Sequence, residues 1–237
     1  MEQETLEKGT ILYGLGTRDG LEEGIFVERP NRFVAMVESG GRLLRVHVAD
    51  TGRLEEILTP GRQLLLQKNR PGMKTDATLL AAKMEEGWVL INTRLHAPIA
   101  RRAIELGVLG FVPRQIRNEV SFGASRIDYL ADETLVELKG CSLVREGFCL
   151  FPNAPSIRAT RHLGELIEAK ALGYDAAVLI MALRRCRCFC PYGERDPRFA
   201  EAFEQALKAG VAYRGFFVRL DEDLNVRYDG RLSLCGE

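Results

Sequence analysis

The chain has 237 residues, enough for one large or two modest domains, and 46% hydrophobic residues supply a real core. Its 33 basic and 33 acidic residues cancel, so no global field draws in nucleic acid and any attraction must be local. No apolar run reaches membrane-spanning length, and Met1-Glu2-Gln3-Glu4 is acidic without the apolar core of a leader, which points to a cytoplasmic protein that does not engage a membrane. Six cysteines then suggest reduced thiols rather than a disulfide scaffold.

Residues 1–85 read as a small β domain. Ile25-Phe26-Val27, Phe33 to Val37, Leu43 to Val48 and Leu64 to Gln67 are strand-like, with Gly40-Gly41 as a turn. Thr78 to Met84 fits a strand or a short helix. Short strands with turns between them suit a small barrel or sandwich. Asp50-Thr51-Gly52-Arg53-Leu54-Glu55-Glu56 reads as a turn into a helix capped by Asp50 or Thr51, with Glu55 and Glu56 at its positive end. Arg53 sits where that dipole disfavours a cation. Arg29, Arg32 and Arg53 are either a solvated surface or part of a groove that contacts phosphates.

Residues 86–237 alternate strands with helices and read as an α/β domain with a mixed sheet. Trp88 to Thr93 is a strand ending in a polar turn, and Ala97 to Leu106 a helix with Pro98 in its first turn. Ile116 to Phe122 is a strand. Glu119 within it either joins an acidic site or pairs with Arg117 or Arg126. Ser125 to Leu130 and Leu135 to Gly140 form a hairpin about the polar stretch Ala131 to Thr134.

On the second of these strands Leu135, Glu137, Lys139 and Cys141 share a face, because side chains alternate. The hairpin then sets Asp128 beside Glu137 and Lys139. Two carboxylates and a lysine on a half-buried face are costly to desolvate unless a divalent cation lies between the acids. Hard oxygen ligands suit Mg²⁺ or Mn²⁺, held by Asp128 and Glu137, while Lys139 serves a metal-bound water or a phosphate. The bland alternative is an exposed hairpin with a Glu–Lys pair. Asp followed by Glu-x-Lys on the next strand resembles the motif of the PD-(D/E)xK nuclease superfamily.

Beyond the loop Phe151 to Ser156, a helix runs to about Leu172. Arg158, Arg161 and His162 lie near its start, a natural place for an anion. His162 is either a phosphate contact or polar surface. Ala176 to Leu183 is nearly continuous in apolar residues, as in a central buried strand. Cys186, Cys188 and Cys190 alternate and would face one side of the next strand, where they read as small apolar fillers, with metal binding or redox as the lesser alternative. Their spacing is not the C-x₂-C of zinc knuckles. Asp196-Pro197 caps a last helix, and two strands finish the chain.

Six runs together are similar to the sugar fermentation stimulation protein family. They are Arg29 to Ala35, Asp50 to Leu54, Ser125 to Asp128, Val136 to Lys139, Phe151 to Pro155, and Arg161 to Leu163, in order from about residue 25 to about residue 215. The resemblance implies DNA binding, with RNA not excluded, by an N-terminal OB-like barrel joined to a PD-(D/E)xK nuclease-like domain, as monomer or homodimer. It implies Asp128, Glu137 and Lys139 as catalytic residues with Glu119 as an accessory. Gly140 stands where the family often has Asn, and Asn153 where it usually has Asp. Two readings follow: a metal-dependent nuclease, or a DNA-binding regulator of sugar-utilisation genes on a nuclease-derived scaffold. A small-molecule enzyme finds no Gly-rich phosphate loop or nucleophile motif.

Overall fold

The computed structural model describes residues 6–236, so the acidic N-terminal run Met1-Glu2-Gln3-Glu4 lies outside the described residues. After β1 (Ile11–Gly14) come β2 (Leu21–Asn31), β3 (Val34–Ser39), β4 (Arg42–His47), β5 (Gln63–Lys68) and β6 (Ala77–Met84). β2 to β6 form a closed five-stranded barrel: the order is β4-β3-β2-β5-β6, and a parallel pairing of β4 with β6 through Val46↔Ala77 and His47↔Thr78 shuts the ring. Ala35, Val37, Val46, Leu64, Leu66 and Leu79 fill it and are fully buried. Gly40 and Gly41 both take positive φ in the two-residue turn between β3 and β4, the geometry that twists with a hairpin. Gly24 is where β2 presses on β3; a Cβ there would lie 2.6 Å from Val37 Cγ1 and 2.8 Å from the Glu38 carbonyl.

The helix expected over Asp50 to Glu56 is corrected to a single turn, closed by the Leu58 amide on the Leu54 carbonyl at 2.8 Å. The cause is Arg29. Its guanidinium donates to the carbonyls of Asp50, Gly52, Arg53 and Arg32 at 2.7–2.9 Å, taking acceptors that a helix would need. Leu54 also sits at φ 54, outside helical space.

The remaining strands are β7 (Gly87–Leu90), β8 (Ile116–Phe122), β9 (Ser125–Ala131), β10 (Thr134–Cys141), β11 (Val144–Arg145), β12 (Phe148–Phe151), β13 (Asp175–Ala182), β14 (Cys188–Pro191), β15 (Ala212–Leu220) and β16 (Asn225–Arg231). The helices are α1 (His96–Glu105), α2 (Ile157–Ala171) and α3 (Pro197–Lys208). The main sheet runs β7-β15-β13-β10-β9-β8, continuous with the barrel through the β6–β7 hairpin, and β1 pairs with β16. β10, β13 and β15 are parallel, joined by crossovers that contain α2 and α3.

Both faces of β13 are covered. Ala177, Leu179 and Met181 enter the core shared with α1 and the barrel, while Ala176, Val178 and Ile180 enter the core beneath α2 and α3. Burial on both sides explains its unbroken apolar run. The helix starts are tied together by Asp196. One oxygen accepts from the Phe199 amide at 3.1 Å and caps α3; the other accepts from the Ser156 amide at 2.8 Å. Ser156 itself caps α2 through the Ala159 amide. No helix among the described residues is long and apolar enough to cross a membrane.

The cysteines depart from expectation. Cys188 and Cys235 form a disulfide, so the six are not all reduced thiols. β14 begins only at Cys188, and Cys186 turns instead toward the Cys149 thiol on β12. Spacing alone does not reveal such pairings, because the partner Cys235 arrives from the chain's far end.

Candidate active site at the fork of β9 and β10

β9 and β10 pair only over Thr134↔Ala131, Leu135↔Leu130 and Val136↔Tyr129. Beyond that point β10 continues against β13, and β9 against β8. The Leu138 amide, facing the fork, donates to Asp128 Oδ2 at 2.7 Å. A side-chain carboxylate thus stands in for the missing ladder partner and is fixed at the point where the strands part.

Glu137 shares the face of Leu135, which is buried beneath α2. Its carboxylate is 2% exposed, and Oε1 contacts both Lys139 Nζ and His162 Nδ1. Oε2 has no hydrogen-bond partner. Arg158 Nε lies 3.4 Å from His162 Nε2. One tautomer satisfies both neighbours, with the proton on Nδ1 donated to Glu137 and Nε2 accepting from Arg158. Burial pushes the Asp128 carboxyl above its ordinary range, and the adjacent Glu137 charge pushes it further; the Leu138 amide and Lys139 oppose that. Two adjacent acids, one half-buried and one buried with an unmatched oxygen, would suit a hard divalent cation as ligands.

The sequence-derived residues separate here. Asp128, Glu137 and Lys139 come together, and His162 joins them as the buried neighbour of Glu137. It is 1% exposed, so the reading of His162 as polar surface is corrected, and its ring faces a carboxylate rather than open solvent. Glu119 lies across from Asp128 on β8, but at φ 49 its side chain is exposed and pairs with Arg126 at 2.9 Å. Of its two alternatives the ion pair is the one formed. Arg161 is exposed, and Arg158 is exposed while reaching His162. Arg29 is spent on the carbonyls of Arg32 and of the Asp50 to Arg53 loop. Arg53 is half exposed and 3.9 Å from Glu55. Arg32 borders a cleft of about 310 Å³ between the barrel loop Asp50-Thr51-Gly52 and the segments Gly140 to Leu143 and Phe151 to Ser156.

Sequence reasoning passed over Glu165 and Ser125. Glu165 lies one turn beyond His162 on the inner face of α2 and approaches Gly123 in the β8–β9 turn. Glu165 Oε2 and Ser125 Oγ are both buried without a partner. The available signal was helical spacing from His162.

Gly140 also has a structural reason. A Cβ there would lie 2.4 Å from Cε1 and Nδ1 of His96, so the imidazole occupies the space an asparagine would need. Burial lowers the His96 pKa to about 4, and its Nε2 has no partner. The folded protein keeps this ring neutral. As pH falls from about 6.5 towards 4, the unfolded chain takes up the proton and the folded one does not, so stability present at neutral pH is lost through that window. The expected loss is roughly 3 kcal/mol in all. Urea titrations at several pH values, on the protein and on His96→Leu, check it; equal acid slopes for both would refute the assignment.

Two family models match in tandem. The SfsA N-terminal OB domain covers residues 27–91, and the sugar fermentation stimulation protein RE domain covers residues 94–223. The chain belongs to the sugar fermentation stimulation protein family. The SfsA homologue of Sulfolobus acidocaldarius is 42% identical over 91% of this chain and 90% of its own length. That of Methanothermobacter thermautotrophicus is 41% identical over 79% and 82%. The solved structure of Pyrococcus furiosus SfsA in complex with Ca²⁺ superposes with a TM-score of 0.85 at 30% identity, covering 95% of this chain and 99% of that one. The family name describes a phenotype.

Proposed function

We propose that this SfsA chain is a metal-dependent nuclease that hydrolyses phosphodiesters in DNA, with RNA as a second substrate to be tested. The observation that carries the reading is the Glu137 carboxylate, buried, clamped on one oxygen by Lys139 and His162 and unmatched on the other, beside an Asp128 held at the strand fork. Asp128 and Glu137 would hold a Mg²⁺ or Mn²⁺ ion, which supplies Lewis acidity and a more acidic water when bound. Lys139 places a positive charge where negative charge grows on the phosphoryl oxygens. His162, itself held by Arg158, orients the Glu137 carboxylate. The relative solved with Ca²⁺ supports a hard divalent cation in this family. Arg32 lines the cleft, and Arg53 follows the cleft residue Gly52 in sequence; both would contact the sugar-phosphate backbone.

A second reading, a DNA-binding regulator without turnover, draws on Glu137 Oε1, which Lys139 and His162 already occupy, and on the zero net charge. Purified protein incubated with Mg²⁺ or Mn²⁺ and single- or double-stranded DNA and RNA separates the two. The nuclease reading expects cleavage that chelation stops and that Asp128→Ala lacks. Retained binding with no cleavage of any substrate would favour the regulator.

A further inference from the structure

A second chemistry-bearing cluster lies away from the fork, on the small sheet of β11, β12 and β14. Cys188 and Cys190 flank Phe189 on β14 and project from the same side of the strand. The C-terminal segment runs alongside: the Phe189 amide donates to the Ser233 carbonyl and the Cys235 amide to the Phe189 carbonyl, both at 2.9 Å. Those two bonds hold Cys235 opposite β14 independently of any sulfur–sulfur link. The sulfurs of Cys188, Cys190 and Cys235 all lie within 4.8 Å of one another and are half-buried. Cys190 is a free thiol beside the Cys188–Cys235 disulfide.

We propose that, once the Cys188–Cys235 disulfide is reduced, Cys188, Cys190 and Cys235 form a three-thiolate site for a soft divalent cation of the Zn²⁺ class. Zinc–sulfur bonds of about 2.3 Å in tetrahedral geometry place ligand sulfurs about 3.8 Å apart. Side-chain rotation alone opens the disulfide to that spacing, because both backbones are already positioned. The fourth position faces solvent and takes water. The chemistry balances in two steps. A dithiol reductant gives two electrons and two protons to the disulfide, leaving two cysteine thiols and the reductant's own disulfide. The three thiols then release three protons as three sulfur–metal bonds form.

The consequence reaches the fork's surroundings through β12. That strand pairs in parallel with β14 over Phe148↔Cys188 to Phe151↔Pro191 and leads directly into the cleft-lining loop after Phe151. The disulfide and the metal would therefore be alternative braces for one wall of the cleft.

The test is to titrate the full chain with Cd²⁺, as a spectroscopic stand-in for Zn²⁺, before and after reduction by a phosphine. Cadmium–thiolate charge-transfer absorption reports sulfur ligation only, so an ion at Asp128 and Glu137 stays silent. One equivalent is expected to bind the reduced chain with this absorption, and none the oxidised chain. Cys190→Ser should weaken binding at least about tenfold, since even loss of an outer partner to a ligand costs that much. Cys149→Ala, which alters the separate Cys149–Cys186 contact, should leave it unchanged. Circular dichroism confirms the fold of each variant, and Cys190→Ala replaces the serine variant if that one misfolds. Absence of the thiolate band in reduced, folded protein would overturn the site. So would equal binding by the Cys190 variant, or loss of binding in Cys149→Ala.

Discussion

Lys139→Met is expected to keep its affinity for nucleic acid and to lose metal-dependent cleavage by on the order of 10²-fold or more. Lys139 is almost buried, and its ammonium is anchored on Glu137 Oε1. In the resting protein that contact compensates the Glu137 charge. During hydrolysis the same ammonium is positioned for charge that develops only in the transition state, and only such interactions raise the rate of the chemical step. Many backbone contacts share ground-state binding, so the loss of one buried lysine barely changes it. Methionine keeps the stem volume and removes the charge. Glu137 retains His162, and Asp128 retains the Leu138 amide, so the fork keeps two of its fixed contacts. Melting temperature, affinity at fixed salt and cleavage rate, measured on one preparation, check the expectation. Cleavage equal to the unmodified protein would make Lys139 purely a structural counterion.

Some of this site was legible in the sequence because it depends on strand pitch alone. A period of two puts Glu137 and Lys139 on one face, and a short hairpin places Asp128 opposite them. The unbroken run of β13 reads as buried because its two faces meet two different cores. The role of His162 was not legible. It rests on how α2 packs back over the sheet and brings His162, 25 residues beyond Glu137, against it, and that contact is set by tertiary packing. Glu119 failed for the opposite reason. A left-handed backbone at that one residue defeats the alternation that would have turned it to the fork. At Asp50 to Glu56 local helix signals were sound, but Arg29, distant in sequence, claimed the carbonyls first. The barrel arginines could not be sorted by composition, because Arg29 and Arg32 look alike until Arg29 is seen spending its donors on the Asp50 to Arg53 loop.

Two substitutions at Glu137 are expected to separate its structural role from its metal-binding role. Glu137→Ala leaves Lys139 and His162 facing each other in a dry pocket with no acceptor between them. Breaking a buried charged pair from one side typically costs about 3–5 kcal/mol, and a loss of that order is expected here. Glu137→Gln keeps an oxygen where Oε1 stands, so Lys139 and His162 retain an acceptor. It removes the negative charge, leaving Asp128 as the nearby counterion of Lys139, and most of the stability lost in the alanine variant should return. Metal affinity should not return with it. A neutral amide is a poor ligand beside one remaining carboxylate, and Mn²⁺ binding by calorimetry should stay at least about tenfold weaker than in the unmodified protein. Stability and metal affinity therefore part company in the glutamine variant if Glu137 is a ligand. If Glu137 only serves as acceptor to Lys139 and His162, Glu137→Gln should bind Mn²⁺ as the unmodified protein does, and the metal assignment at the fork would fall.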